Sequence, residues 1–340
     1  MNRILLAATV AVVGLIGFSA SGETFRDANS ELLPVQDSRL EREIEKSFAN
    51  LPERKALKIW APATRESPAL LVEVNGQVRL FSASANKAII LCERLRQVDS
   101  PNVAERLQSH ELKLDRDVWS LGSPVFNPPD LTGIVSERTA MEAMVTHSDN
   151  TATDMVLEAA GANQVKQFIE AIGLTNTMIP DSTRALAGYL LGAPDYKTIT
   201  WEELQTLLGK PFVHPPLNDV ETLASSANDL VSFYSQALQG VFFENPQTLD
   251  EFRRILLLGD ITHLVPFPLG INVFGKAGYF DSPGHHARCV AGGMFLSNRW
   301  VYFAAILNWD TAQVEDPATV EAFFAALRKT IALIQCGLSG

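Results

Sequence analysis

The chain has 340 residues, enough for a sizeable core in one or two domains. It is 46% hydrophobic and 20% charged, an ordinary balance for a globular protein. A formal net charge of −11 and a pI near 5.1 argue against nucleic acid or an anionic membrane surface as the main partner.

Met1-Asn2-Arg3 gives a short basic start, Ile4–Phe18 an apolar run, and Ser19-Ala20-Ser21 a set of small residues before Gly22. This is the pattern of a cleaved signal peptide over 1–21, and the run is short for a membrane span. No cysteine stands at the cleavage point, so no lipid anchor is expected. The mature chain, 22–340, is expected to be periplasmic or secreted and free of the membrane.

Ser38 can cap a helix from Arg39 to about Leu51, in which Leu40, Ile44 and Phe48 recur at spacing four. A hairpin-like pair follows, Ala69–Val74 and Gln77–Phe81 around Asn75-Gly76. Ser84-Ala85-Asn86-Lys87 then opens the apolar helix Ala85–Val98. Residues three apart share a helix face, which brings the Ser84 hydroxyl to the Lys87 amine. A serine needs such a base to attack a carbonyl, and a helix start supplies free N–H groups for an oxyanion.

To about Leu257 the chain reads mainly helical, with helices at Glu137–Val145, Thr151–Ala160, Gln164–Ile172, Trp201–Leu208 and Ser226–Gln239. Ser148-Asp149-Asn150 sits between two of them. Pro124–Pro129 and Pro211–Pro216 read as loops. Strands are expected at Leu269–Ala277, Ala287–Leu296 and Trp300–Trp309, with Asn298-Arg299 turning between the last two. Lys276-Ala277-Gly278 ends the first of these. Asp316 and Pro317 open a final helix with Val320, Phe323, Phe324, Leu327, Ile331 and Ile334 on one face, and Gly337 suits its C-cap. Adjacent His285-His286 has no metal-site spacing and reads as a turn. Of the three cysteines, Cys92 reads as core, and a Cys289–Cys336 bridge is open in an exported protein.

Helix, strands, helices, strands, helix is the order of an antiparallel sheet built from both chain ends with a helical block inserted. The expected fold class is therefore α+β, with an α/β part at about 38–83 and 258–340 and a helical part at about 84–257.

The order S-x-x-K, S-D-N, K-T-G marks penicillin-recognising serine hydrolases, and only the middle letter of the third differs here, in Lys276-Ala277-Gly278. Met144-Val145-Thr146-His147-Ser148-Asp149-Asn150-Thr151-Ala152 resembles the S-D-N helix of class A β-lactamases, as does the continuation to Phe168 and Ile172-Gly173. Leu223–Leu230 resembles the start of a later family helix. The resemblance runs from about Ser38 to the C-terminus. It implies a three-layer α/β/α fold with the active site between the two parts, and a monomer that needs no metal or organic cofactor. Its partner would be a β-lactam or a peptidoglycan-like small molecule.

In the roles so implied, Ser84 is the nucleophile and Lys87 the base or the holder of a water relay. Ser148 shuttles a proton to the leaving amine, and Asn150 binds a substrate amide. Lys276 tunes Lys87 and attracts an anionic substrate. Beside Gly278, the N–H groups of Ser84 and Tyr279 form the oxyanion hole. Arg288, on the next strand, falls near the family's carboxylate-binding arginine, although a plain strand-edge arginine fits as well.

Two departures stand out. Ala277 replaces the family's Thr or Ser and so removes a hydroxyl from the substrate carboxylate. A gapless count puts Arg184 where class A enzymes carry the deacylating glutamate, and Gly188 where they carry an asparagine. Asp181, Glu202 and Glu203 are the nearest carboxylates in sequence. The expectation is an exported serine acyl-hydrolase that forms an acyl-enzyme on Ser84 and releases it slowly. A D-alanyl-D-alanine peptidase and a non-catalytic binder of peptidoglycan fragments are the alternatives.

Overall fold

The computed structural model describes residues 38–338 apart from Glu66, Pro266, Pro268 and Leu269. The leader and its cleavage point lie outside the described residues. The central sheet has strands β1 (Lys55–Ala61) and β2 (Leu70–Val74) from the start of the chain. Short strands β3 (Leu80–Phe81), β4 (Glu111–Leu114), β5 (Gly133–Ser136) and β6 (Ala224–Ser225) pair off outside it, β3 with β6 and β4 with β5. Strands β7 (Val273–Ser282), β8 (His285–Leu296) and β9 (Arg299–Trp309) complete it in the order β2-β1-β9-β8-β7. All neighbours are antiparallel. Both chain ends thus build one sheet, and β7 is an edge.

Register decides which side chains face which layer. Lys276 lies opposite Ala291, Gly278 opposite Cys289 and Phe280 opposite Ala287. This face meets the helical block, where Ile89, Ile90 and Phe233 are fully buried. The alternate face carries Val273, Val290 and Met294 against the Ser38–Ala49 and Pro317–Leu338 helices. The spaced Leu40, Ile44 and Phe48 do pack here, and Phe48 meets Phe323 edge-on at 6.5 Å. The result is the α/β/α layering of an α+β fold.

Caps set the helix starts around the site. The Ser136 hydroxyl accepts from Thr139 N, Asp149 from Ala152 N and Ser182 from Ala185 N. These helices run Glu137–Thr146, Asn150–Ala160 and Thr183–Leu190.

The structure corrects several local expectations. Leu70–Val74 and Leu80–Phe81 do not pair with each other: the former joins β1, which the sequence reading does not anticipate, and the latter joins β6. Lys55 and Lys58 break the apolar run of β1 and disguise it. The tight turn before β9 is Ser297-Asn298, both at positive φ, one residue earlier than expected. Gly337 is inside the last helix, where a Cβ would sit 2.8 Å from Leu40. His285 and His286 open β8 instead of forming a turn, and His286 stacks on Trp309. All three cysteines are free. Cys289 faces the helical block, and Cys336 is on the last helix across the sheet, so they do not bridge.

Candidate active site

Ser84 lies in a single 3₁₀ turn, Ala83–Asn86, that runs straight into the Lys87–Gln97 helix. In 3₁₀ geometry residues three apart eclipse, which stacks Lys87 under Ser84 more directly than an α-turn does. From Leu80 to Cys92 only Ser84 is not fully buried. The turn is anchored beneath: the Asn86 amide donates to the Met178 and Ala224 carbonyls at 3.0 and 2.9 Å, and Ser82 N to Leu223 O at 2.9 Å. Ala83 holds φ +48°, an uncommon left-handed conformation for a residue with a side chain.

Gly278 explains why the turn sits where it does. A Cβ on it would lie 2.2 Å from the Ser82 carbonyl oxygen and 2.9 Å from Ser84 N, so only glycine lets the edge strand approach. The Ala277 N–H leaves that free edge and donates to Asp260 at 3.0 Å. Backbone direction alternates along a strand, so the Tyr279 N–H leaves the same edge, beside Ser84. The two N–H groups assigned to an oxyanion hole are therefore brought together on one side of the serine.

Lys87 is wholly buried. Its Nζ donates to Ser148 O at 2.6 Å and Asn150 Oδ1 at 2.7 Å, with Ser148 Oγ at 3.4 Å. Burial first, and the Lys276 charge second, lower its pKa to about 7. Near neutrality the amine is thus half deprotonated and can accept a proton. Ser148 takes φ +56°, which turns its carbonyl toward Lys87 while Asp149 caps the next helix. Asp149 Oδ2 also accepts from Val125 N and Phe126 N, both at 2.9 Å. The Asn150 Nδ2 donates to the Leu121 carbonyl at 2.7 Å, so both ends of this amide are used.

Lys276 is also fully buried, but it is not a free cation. Its Nζ lies 2.5 Å from Asp260 Oδ2 and 2.9 Å from Ala277 O. Desolvation lowers its pKa, opposed by Asp260. Arg288 departs furthest from its expected role. Register places it beside Tyr279, on the sheet face away from Lys276. Its guanidinium donates to both Asp281 oxygens, at 3.0 and 2.8 Å, and lies over the Trp309 ring. It does not line the cleft at Ser84.

Arg184 also points elsewhere. Its guanidinium donates to the carbonyls of Arg116 and Asp117 at 2.8 and 2.7 Å, and pins that loop. Neighbouring Thr183 lines the cleft instead. Asp181 is paired with Lys166 and Lys197, whose hydrogen bonds hold its carboxyl below the ordinary range. Glu202 pairs with Arg116, and Glu203 closes a capping box with Thr200. Of the described residues lining the 290 Å³ cleft, none is Asp or Glu.

Sequence reasoning misses Asp260 and Asp154. Asp154 is buried and accepts from Thr183 N, Thr183 Oγ1 and Arg184 N at 2.6, 2.8 and 3.1 Å, and burial raises its pKa to about 6. Its place four residues after Asn150, on the same helix face, was a usable signal. Asp260 carried none, because only the fold brings it to Lys276. No three metal-ligating side chains converge among the described residues.

The model of a family described as the β-lactamase enzyme family matches residues 39–327. No curated protein matches the chain in sequence. Among solved structures, PBP-A superimposes with a TM-score of 0.64 at 19% identity, over 90% of this chain and 99% of that one. The extended-spectrum β-lactamase TLA-3 does so with a TM-score of 0.67 at 16% identity, over 89% and 99%. A class A β-lactamase from Bacteroides cellulosilyticus gives 0.63 at 16% identity, over 88% and 98%. At these identities the likenesses establish the fold.

Proposed function

The chain belongs to the β-lactamase enzyme family and is a serine hydrolase of that type, and we propose that it works through an acyl-enzyme on Ser84. The observation that carries this is the buried Lys87 amine, lowered to about pKa 7, one 3₁₀ turn below the only residue of its segment open to solvent. Lys87 takes the hydroxyl proton as Ser84 Oγ bonds to the substrate carbonyl carbon. The Ser84 and Tyr279 N–H groups receive the oxyanion. When the C–N or C–O bond breaks, the proton passes from Lys87, by way of Ser148, to the leaving amine or alcohol. Water then replaces Ser84 on the carbonyl carbon and returns a proton to Oγ.

Release is the slow step in this reading. Among the described residues no carboxylate lines the cleft to activate water, and Asp181, Glu202 and Glu203 are tied up outside it. The substrate is an amide or ester. β-Lactams fall within that class, but Ala277 removes a hydrogen bond to their carboxylate of about 1.5–3 kcal/mol. Export to the periplasm or medium completes the proposal. It rests on the sequence of residues 1–21, and an intact mass that begins at Gly22 tests it.

A fluorophosphonate and a fluorescent penicillin test the nucleophile. The adduct should map to the peptide holding Ser84 and vanish in Ser84→Ala. An adduct unchanged in that variant rejects the assignment.

A further inference from the structure

We propose that the Ser84 cleft is built for an uncharged ester with an apolar acyl chain, in preference to an anionic β-lactam. The inference rests on Ser84 as nucleophile and adds the chemistry of what it attacks.

The wall beside Ser84 is hydrocarbon. The Thr183–Leu190 helix turns Leu186, Ala187 and Leu190 into the cleft, and Leu121 lines it as well. Aromatic rings line it too: Phe212 stacks on Phe280 with centroids 5.8 Å apart, and Phe81 meets Phe280 edge-on at 5.3 Å. The space is 290 Å³, at the small end of ligand pockets and suited to a short alkyl chain or one ring.

An anionic substrate needs an uncommitted cation, and the described lining residues include no Lys, Arg or His. Lys276 is neutralised by Asp260, and Arg288 by Asp281 on the other sheet face. The third motif lacks its hydroxyl at Ala277. A substrate carboxylate would be desolvated here without a counter-charge, whereas an alkyl chain gains by leaving water. The carboxylate-free lining also offers nothing to a cationic amine.

The test is a series of p-nitrophenyl esters: acetate, butyrate, hexanoate and the anionic glutarate monoester. The second-order rate of p-nitrophenol release measures acylation and is independent of slow deacylation. The rate should rise roughly fifteenfold from butyrate to hexanoate, since each of the two added methylenes is worth about fourfold when buried. It should be at least about tenfold lower for the glutarate monoester than for butyrate. Ala187→Phe, which fills the pocket, should cut the hexanoate-to-acetate ratio by about tenfold; the wild-type series stands even if that variant does not fold. Ser84-dependent release that is flat with chain length, or fastest with the glutarate monoester, overturns the apolar pocket and leaves the nucleophile standing. Release unchanged in Ser84→Ala, or no release and no fluorophosphonate adduct in the wild type, overturns the nucleophile and the pocket with it.

Discussion

Asp260 grips Lys276 from two directions: one carboxylate oxygen lies 2.5 Å from the ammonium, and the other accepts the N–H of the next residue, Ala277. One side chain thereby neutralises the lysine, fixes it against the edge strand and aligns the edge beside Ser84. Its removal would leave a fully buried ammonium without a counter-charge. Asp260→Ala should therefore cost about 3–5 kcal/mol of folding stability, read from urea denaturation. A loss below 1 kcal/mol would mean that Lys276 is neutral or solvated in the fold.

Acylation should follow the neutral form of Lys87. With its pKa lowered to about 7, the rate should climb through pH 7 to a plateau and fall about tenfold per pH unit well below it. The unfolded lysine titrates near 10.5, so between 7 and 10.5 the unfolded state binds more protons, and the stability cost of burying Lys87 eases as pH rises. Asn150→Asp puts a carboxylate where an amide oxygen now lies 2.7 Å from Nζ. The midpoint of the profile should move above 7, with acylation at pH 7 reduced about tenfold for each unit moved. A stationary midpoint would exclude Lys87 as the titrating base.

Gly278→Ala tests the contact between strand and turn. The new methyl group would overlap the Ser82 carbonyl, and the two backbones must separate. The expected cost is about 1–3 kcal/mol of stability. Acylation should fall by about a hundredfold or more, because the oxyanion donors separate with the backbones. Thermal unfolding and fluorophosphonate labelling separate the two effects, and a stable, fully active variant would refute this placement.

Turnover should show a burst and then a slow phase, with the acyl-enzyme visible by mass spectrometry within minutes. Arg184→Glu should not speed the slow phase more than about twofold, because position 184 faces the Arg116 and Asp117 carbonyls and not the cleft. It should cost no more than about 1.5 kcal/mol, because the Arg116 and Asp117 carbonyls it releases are exposed and can bond water. A large acceleration would return position 184 to the role that a gapless count assigns it.

What short-range geometry controls is legible along the chain. The three-residue spacing of Ser84 and Lys87 implies a shared face whether the turn is α or 3₁₀. Asp316 announces a cap because its side chain bonds the N–H three residues on. Leu40, Ile44 and Phe48 mark a buried stripe by their period alone. Whatever depends on register, or on which charge meets which, follows from long-range packing. Strand pairing across long loops turned Arg288 to the far face, and the packing of a loop on the helical block aimed Arg184 at backbone carbonyls. The Lys276–Asp260 pair spans sixteen residues with no periodic signal, and the apolar wall draws on Leu121, Leu190, Phe212 and Phe280 from four separate segments. Such contacts come from the packing of the whole chain, where a one-residue slip reverses every side chain of a strand.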